Sequence, residues 1–167
     1  MIGLPRRMIR YAPLLALVVA AWLVPATPAS ADPVVDLNCT ITVTTDIHPG
    51  TTPRLHHQSF TSHGLTGTAT CTGTVNGQPV TGPGSFAVND QVVADCTQAH
   101  GAGTFVLQIP TTAGTKTVTG RFTIVTTAGT TVSSGDITGT ATVTSAVGDC
   151  VTTPLTSATA VITAHVT

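Results

Sequence analysis

Residues 66–74 are Thr-Gly-Thr-Ala-Thr-Cys-Thr-Gly-Thr, with threonine at every second position. The same alternation returns at residues 40–44 and 138–144. A period of two is the period of a β-strand, which turns threonine to one face and small or apolar side chains to the other. Because β-branched threonine suits a pleated, partly exposed surface, these stretches predict strands with a hydroxyl-covered outer face.

Turn signals divide the chain after residue 31 into about eight such strands, and Asn76-Gly77 is the strongest hairpin signal among them. Many short strands joined by glycine-containing turns are typical of antiparallel barrels and sandwiches. Interior glycines favour the sharp bends of a closed barrel. They lie within predicted strands at positions 67, 73, 103, 120 and 139. We therefore expect an all-β fold, a single antiparallel β-barrel of about eight strands, with a β-sandwich as the alternative.

The first 31 residues have the three parts of a secretory signal peptide. Three arginines lie among the first ten residues, an apolar run covers residues 14–24, and Ala29-Ser30-Ala31 offers a cleavage site. The apolar run is shorter than the roughly 20 residues that a membrane helix needs. We expect residues 1–31 to be removed on export and residues 32–167 to form one secreted all-β domain without a membrane span.

The charge pattern bears on possible partners. After residue 31 the basic residues other than histidine are Arg54, Lys116 and Arg121, whereas all seven acidic residues are aspartates. A weakly acidic surface without basic clusters argues against nucleic acid or an anionic membrane as a partner. We expect a monomer whose partner is an extracellular ligand or surface of unknown identity.

Four cysteines in an exported chain indicate two disulfides. If Cys39 lies opposite Cys71 in an antiparallel pair, Val35 lies opposite Val75, and this match extends along both predicted strands. The register therefore favours Cys39–Cys71 and leaves Cys96–Cys150. Each bond would close a long loop and stabilise the fold by roughly 4 kcal/mol in the chain-entropy model.

The histidines are the candidate metal ligands. His48, His56, His57 and His63 all fall between Asp46 and His63, a stretch that contains Pro49-Gly50 and Pro53 and is predicted to be irregular. Imidazole, with the Asp46 carboxylate, suits zinc or copper. The spacing matches no metal motif, so we expect no cofactor, with a zinc or copper site at these histidines as the alternative. Long irregular loops are often functional, and we expect this segment to be the functional or mobile edge.

No arrangement in the sequence indicates catalysis. Glycosidases use two carboxylates, and the nearest pair here is Asp90 and Asp95, which a charged turn explains better. We therefore expect a non-catalytic exported domain with a binding or surface-interaction role. The alternatives are a metal-dependent protein or enzyme that uses the histidine-rich segment, and a carrier of a small hydrophobic ligand inside the barrel.

The stretch Cys71-Thr72-Gly73-Thr74-Val75-Asn76-Gly77, followed by Val80-Thr81-Gly82-Pro83-Gly84, resembles small exported actinobacterial β proteins of unassigned function. The composition is also similar to that of the apoproteins of enediyne chromoproteins, although the cysteine spacings here are wider. Those apoproteins are acidic, threonine-rich sandwiches with two disulfides that hold a small hydrophobic ligand. The second resemblance implies a carrier.

Overall fold

The computed structural model describes residues 33–167, so the predicted signal peptide, residues 1–31, lies outside the described residues. Within this range the secondary structure consists of strands, without a helix: β1 (Val35–Thr51), β2 (His56–Thr61), β3 (Gly67–Val75), β4 (Gln78–Pro79), β5 (Gly84–Ala94), β6 (Gln98–Thr111), β7 (Gly114–Thr127), β8 (Thr130–Gly135), β9 (Ile137–Val147) and β10 (Leu155–Val166). It follows that residues 33–167 contain no helix with the length and hydropathy to span a membrane.

All ten strands pair antiparallel in one sheet, and the pairing of β1 with β10 closes that sheet in a ring. The order around the ring is β1, β10, β9, β8, β7, β6 and β5. The position between β5 and β1 is shared, because β3 pairs with both strands at one end of the ring and β2 pairs with both at the other. β4 extends β3 outside the ring. The expectation of about eight strands thus describes the positions around the ring, whereas the strands number ten.

The period of two separates an apolar interior from a threonine-rich exterior. Along β1, Leu37, Cys39 and Ile41 are buried, while Asn38 and Thr40 between them are exposed. On the outer face, Thr70, Thr40, Thr163 and Thr140 are successive cross-strand neighbours on β3, β1, β10 and β9. This confirms the alternation predicted from the sequence.

The segment Asp46–His63, predicted to be irregular, is mostly strand, so that prediction is wrong. β1 continues to Thr51, and β2 covers His56–Thr61. Pro49-Gly50 is tolerated because the β1–β10 register shifts between Asp46 and Thr51. Such a bulge leaves residues without ladder partners, so the missing amide of proline costs no hydrogen bond there.

Both predicted disulfides are present. Cys39 lies directly opposite Cys71 in the β1–β3 ladder, and Val35 lies opposite Val75, as the proposed register requires. The Cys96–Cys150 bond joins the loop between β5 and β6 to the loop between β9 and β10. In the ring order these two loops are separated by two strand positions in either direction, so the bond ties opposite sides of the ring across one end. We call these two loops and their disulfide the strap.

Two aspartates organise the loops of the strap. Asp95 Oδ1 accepts hydrogen bonds from the amide and the hydroxyl of Thr97 at 2.7 and 2.8 Å, which hold the pKa of Asp95 below its usual range. Asp149 accepts a hydrogen bond from the Thr152 hydroxyl, which, with nearby backbone amides, lowers the pKa of Asp149 in the same way. In both loops an aspartate side chain accepts hydrogen bonds from the backbone two or three residues later, which fixes the turn locally.

Removing the two disulfides should have unequal effects. Each closes a long loop, of 32 and 54 residues in sequence separation, so each should contribute about 4 kcal/mol through chain entropy. Cys39 and Cys71 are also buried, and their loss leaves a defect in the core. We expect the Cys39→Ala/Cys71→Ala variant to lose more unfolding free energy than the Cys96→Ala/Cys150→Ala variant, as measured by urea denaturation. The reverse order would show that the strap contributes more to stability than the buried Cys39–Cys71 disulfide does.

Candidate functional site

The candidate site is a cavity of about 130 Å³ inside the ring. Its lining reaches Thr126 and Thr131, which lie next to the β7–β8 turn. That turn is at the same end of the ring as the strap, because β5, β7 and β9 run in one direction and their following turns emerge together. Most lining residues are apolar: Val43, Phe60, Phe86, Val88, Phe122, Ile124, Ile137, Ala141, Val143, Ala158, Ala160 and Ile162.

Three phenylalanines separate the cavity from the filled part of the ring. Phe86 and Phe105 are stacked with ring centroids 6.0 Å apart, and Phe105 and Phe122 are tilted at 6.4 Å. Beyond them Leu107 and Ile109 are fully buried. Phe86 and Phe122 therefore form the floor of the cavity, since both line it and both contact this packed layer.

The cavity exists because one wall carries small side chains. β9 and β10 present Ala141, Ala158 and Ala160 to the cavity, whereas β5 and β7 present the larger Phe86, Val88, Phe122 and Ile124. Val143 on β9 lines the cavity and is nevertheless 53% exposed. The β8–β9 ladder ends at Thr142, so β9 has no β8 partner at Val143, and the cavity is open to solvent beside this residue.

One charged group enters this apolar space. Asp90 lies in the middle of β5, and its cross-strand neighbours on the same face are Phe60 of β2 and Gly103 of β6. The next residue in the row is Phe122 of β7. A Cβ atom on Gly103 would lie 2.1 Å from Asp90 Oδ1, so only glycine at that position leaves room for the carboxyl group.

The Asp90 side chain is buried, and one of its carboxyl oxygens is unpaired. Asp90 is 7% exposed, and its Oδ1 atom has no hydrogen-bond partner among the residues that the structure describes. Burial raises the pKa of Asp90 to about 7, because the charged form loses its hydration. A carboxyl group in this state can accept a hydrogen bond from a ligand, donate one when protonated, or pair with a cation. Of the described residues that line the cavity, Asp90 is the one titratable group.

The interpretation of Asp90 and Asp95 as a charged turn fits only one of them. Asp95 lies in the turn between β5 and β6, but Asp90 points into the ring. The sequence did contain the signal: Phe86, Val88, Val92 and Ala94 alternate on one face, and Asp90 occupies the remaining position of that face. A single charge in the apolar phase of a strand is unusual enough to mark a candidate site.

The structure brings only one of the predicted metal-ligating histidines against a carboxylate. His63 Nε2 lies 2.6 Å from Asp46 Oδ2, and both side chains are mostly exposed. The two ring nitrogens of His56 lie 2.6 and 3.0 Å from the carbonyl oxygens of Arg54 and Gly50. His56 is therefore engaged by the backbone on both sides.

The other two histidines, His48 and His57, are exposed on the outside of the ring. Within residues 33–167 no group of three or more histidine, cysteine, aspartate or glutamate side chains is arranged to hold a metal ion. The zinc or copper site stays a prediction.

The chain matches no protein-family model, and no significant match was found among curated proteins or solved structures.

Replacing Asp90 should change the pH dependence of stability. The pKa of Asp90 is about 7 in the folded protein and near the ordinary 3.8 in the unfolded chain. The protonated form therefore stabilises the fold fully below pH 3.8, and this contribution is lost as the pH rises to 7. We expect Asp90→Asn to be more stable than the wild type at pH 8, by about 4 kcal/mol at 1.36 kcal/mol per pKa unit, and to match it near pH 4.

Urea denaturation at a series of pH values measures this difference. Both proteins carry the same histidines, so histidine titration cancels in the comparison. Asp95 and Asp149 have lowered pKa values, so their titration changes stability only below about pH 4. They do not affect the comparison between pH 4 and pH 8. A difference between the two proteins that does not vary with pH would show that the Asp90 carboxyl is hydrated in the folded state.

Proposed function

We propose that the protein is an exported, non-catalytic carrier that holds a small, mainly hydrophobic molecule in the cavity at the strap end of the ring. On this proposal the ring acts as a small closed barrel that works as a monomer. The observation that carries the proposal is the apolar cavity lined by Asp90, whose buried Oδ1 atom has no protein partner. Binding sites for small molecules are commonly apolar spaces with a few placed polar groups.

The size of the cavity limits the ligand. A cavity of about 150 Å³ lined by leucine, isoleucine and phenylalanine can hold benzene. The cavity here, at about 130 Å³, is of that order. A ligand that enters without displacing the walls therefore has roughly six non-hydrogen atoms, and a larger one must extend through the opening beside Val143.

The remaining chemistry of the cavity supports binding rather than reaction. The Thr126 and Thr131 hydroxyls lie 2.8 Å apart and bond to each other, so neither is held by a base. Acyl transfer and glycoside hydrolysis each need a second positioned acid, base or nucleophile beside the first. Asp90 by itself can orient a ligand, and this supports a carrier.

The two disulfides fit an exported protein, because disulfides persist in oxidising compartments. Their positions also suit a carrier, since one braces the filled end of β1 and the other ties the loops above the cavity. Export itself belongs to the proposal and depends on the predicted signal peptide.

Filling the cavity should abolish binding. Ala160 faces the cavity, and Ala160→Leu adds three carbon atoms there. Ala102→Leu is the matched control, because Ala102 is exposed on the outside of β6. We expect methylcyclopentane and cyclopentanol at pH 5.5 to shift the NMR methyl signals of Val43 and Ile124 in the wild type and in Ala102→Leu, and to leave Ala160→Leu unchanged. Equal shifts in all three proteins, or none in any, would contradict the proposal.

A further inference from the structure

We infer that the ligand is an amine: the cavity binds a small apolar molecule whose ammonium group pairs with the Asp90 carboxylate. This inference rests on the proposed carrier function and names the chemical class of its ligand. It starts from geometry: Asp90 lines the apolar cavity, its residue is 7% exposed, and its Oδ1 atom, beside Gly103, lacks a hydrogen-bond partner among the described residues.

A hydrocarbon would leave this carboxyl uncompensated. Burying an isolated charge is among the most unfavourable events in folding, and proteins normally pair such a charge. A cationic ligand supplies the missing charge together with hydrogen-bond donors. Charge-assisted hydrogen bonds are about twice as strong as neutral ones. The row of cross-strand neighbours also puts Phe60 and Phe122 on either side of Asp90 and Gly103, and phenylalanine rings attract cations in desolvated surroundings.

Residues 33–167 offer Asp90 no cation. Lys116 is the basic residue that shares the inward phase of β7, but it lies six residues before Phe122, about 20 Å along the strand. The titratable groups on the strands that pack against β5 lie elsewhere. His57 and His100 flank Val93 on the outer face, and His56 contacts two backbone carbonyls. On β1 the groups are exposed: Asp36, Asp46 and His48.

The pH dependence of binding separates an amine from other ligands. Since burial raises the pKa of Asp90 to about 7, the empty cavity contains mostly the neutral acid below that pH and mostly the carboxylate above it. An ammonium ion binds the carboxylate, so its affinity should rise between pH 5.5 and pH 8. A hydrocarbon prefers the neutral acid, so its affinity should fall over the same interval.

The experiment compares three probes of equal size, cyclopentylamine, cyclopentanol and methylcyclopentane, each with six non-hydrogen atoms. Affinities for the disulfide-intact protein are measured by NMR titration at pH 5.5 and pH 8. At pH 8 we expect cyclopentylamine to bind the wild type roughly tenfold or more tightly than either neutral probe, the size of a charged hydrogen bond. Asp90→Asn should lose that preference and bind cyclopentylamine equally at both pH values, whereas Ala102→Leu should behave as the wild type does.

The outcomes separate the two proposals. If the neutral probes bind the wild type and are excluded by Ala160→Leu, but cyclopentylamine binds no better than they do at pH 8, the carrier stands and the amine inference is overturned. If the preference for cyclopentylamine survives in Asp90→Asn, the amine is held elsewhere and the inference is likewise overturned. If no probe binds at either pH, both proposals are wrong. The comparison of probes on the wild type needs no variant, so it remains decisive if Asp90→Asn misfolds.

Discussion

Closure of the sheet by the β1–β10 ladder is the constraint on which the rest of the structure depends. In an open sheet, different segments of the chain could pack against different strands. In a closed ring, the inward side chains of all strands must fill one shared interior volume. Near the strap end, β5 contributes Phe86 and Val88, whereas β10 contributes Ala158 and Ala160. At the end filled by the phenylalanine layer the volumes match. At the strap end the alanines of β9 and β10 leave space, and the cavity is the result.

Asp90 determines which ligands the cavity would prefer. A void lined only by aliphatic groups would bind any hydrocarbon of the right size, with little selectivity. A buried carboxyl group changes that, because a ligand that cannot satisfy it leaves its desolvation uncompensated. The same group weakens the fold at neutral pH, since its ionised form is buried. A bound cation would remove this penalty, so ligand binding and stability are linked through one residue. A residue that breaks the apolar pattern of a strand and destabilises the fold, as Asp90 does, is expected at a functional site.

The sequence predicts the strands and the core disulfide well, because both depend on the two-residue period that it shows directly. Matching Cys39 to Cys71 and Val35 to Val75 is enough to define the β1–β3 register. The prediction from the sequence fails at Pro49-Gly50, which was expected to interrupt the strand. A proline is compatible with a strand where the ladder has a bulge. That bulge depends on the pairing with β10, more than 100 residues away in sequence.

The cavity was beyond prediction for a related reason. Its volume is the difference between side chains contributed by strands that are distant in sequence, and no local pattern reports that difference. Its carboxyl group was accessible to prediction, because the position of Asp90 in the apolar phase of β5 follows from the same alternation that identified the strands. The inward position of Asp90 was missed because Asp90 was interpreted together with Asp95, which does lie in a turn.

The strap determines how a ligand can reach such a cavity. A disulfide between loops on opposite sides of the ring restricts how far those loops can separate, so the end of the ring cannot open widely. The side wall is less constrained. β8 has six residues, and β9 beyond Val143 is exposed on both faces. Val143, which lines the cavity and is half exposed, lies just beyond the end of the β8–β9 ladder. On the proposed carrier function, a ligand would enter through this side wall, and the filled core and the two disulfides would not need to loosen for exchange.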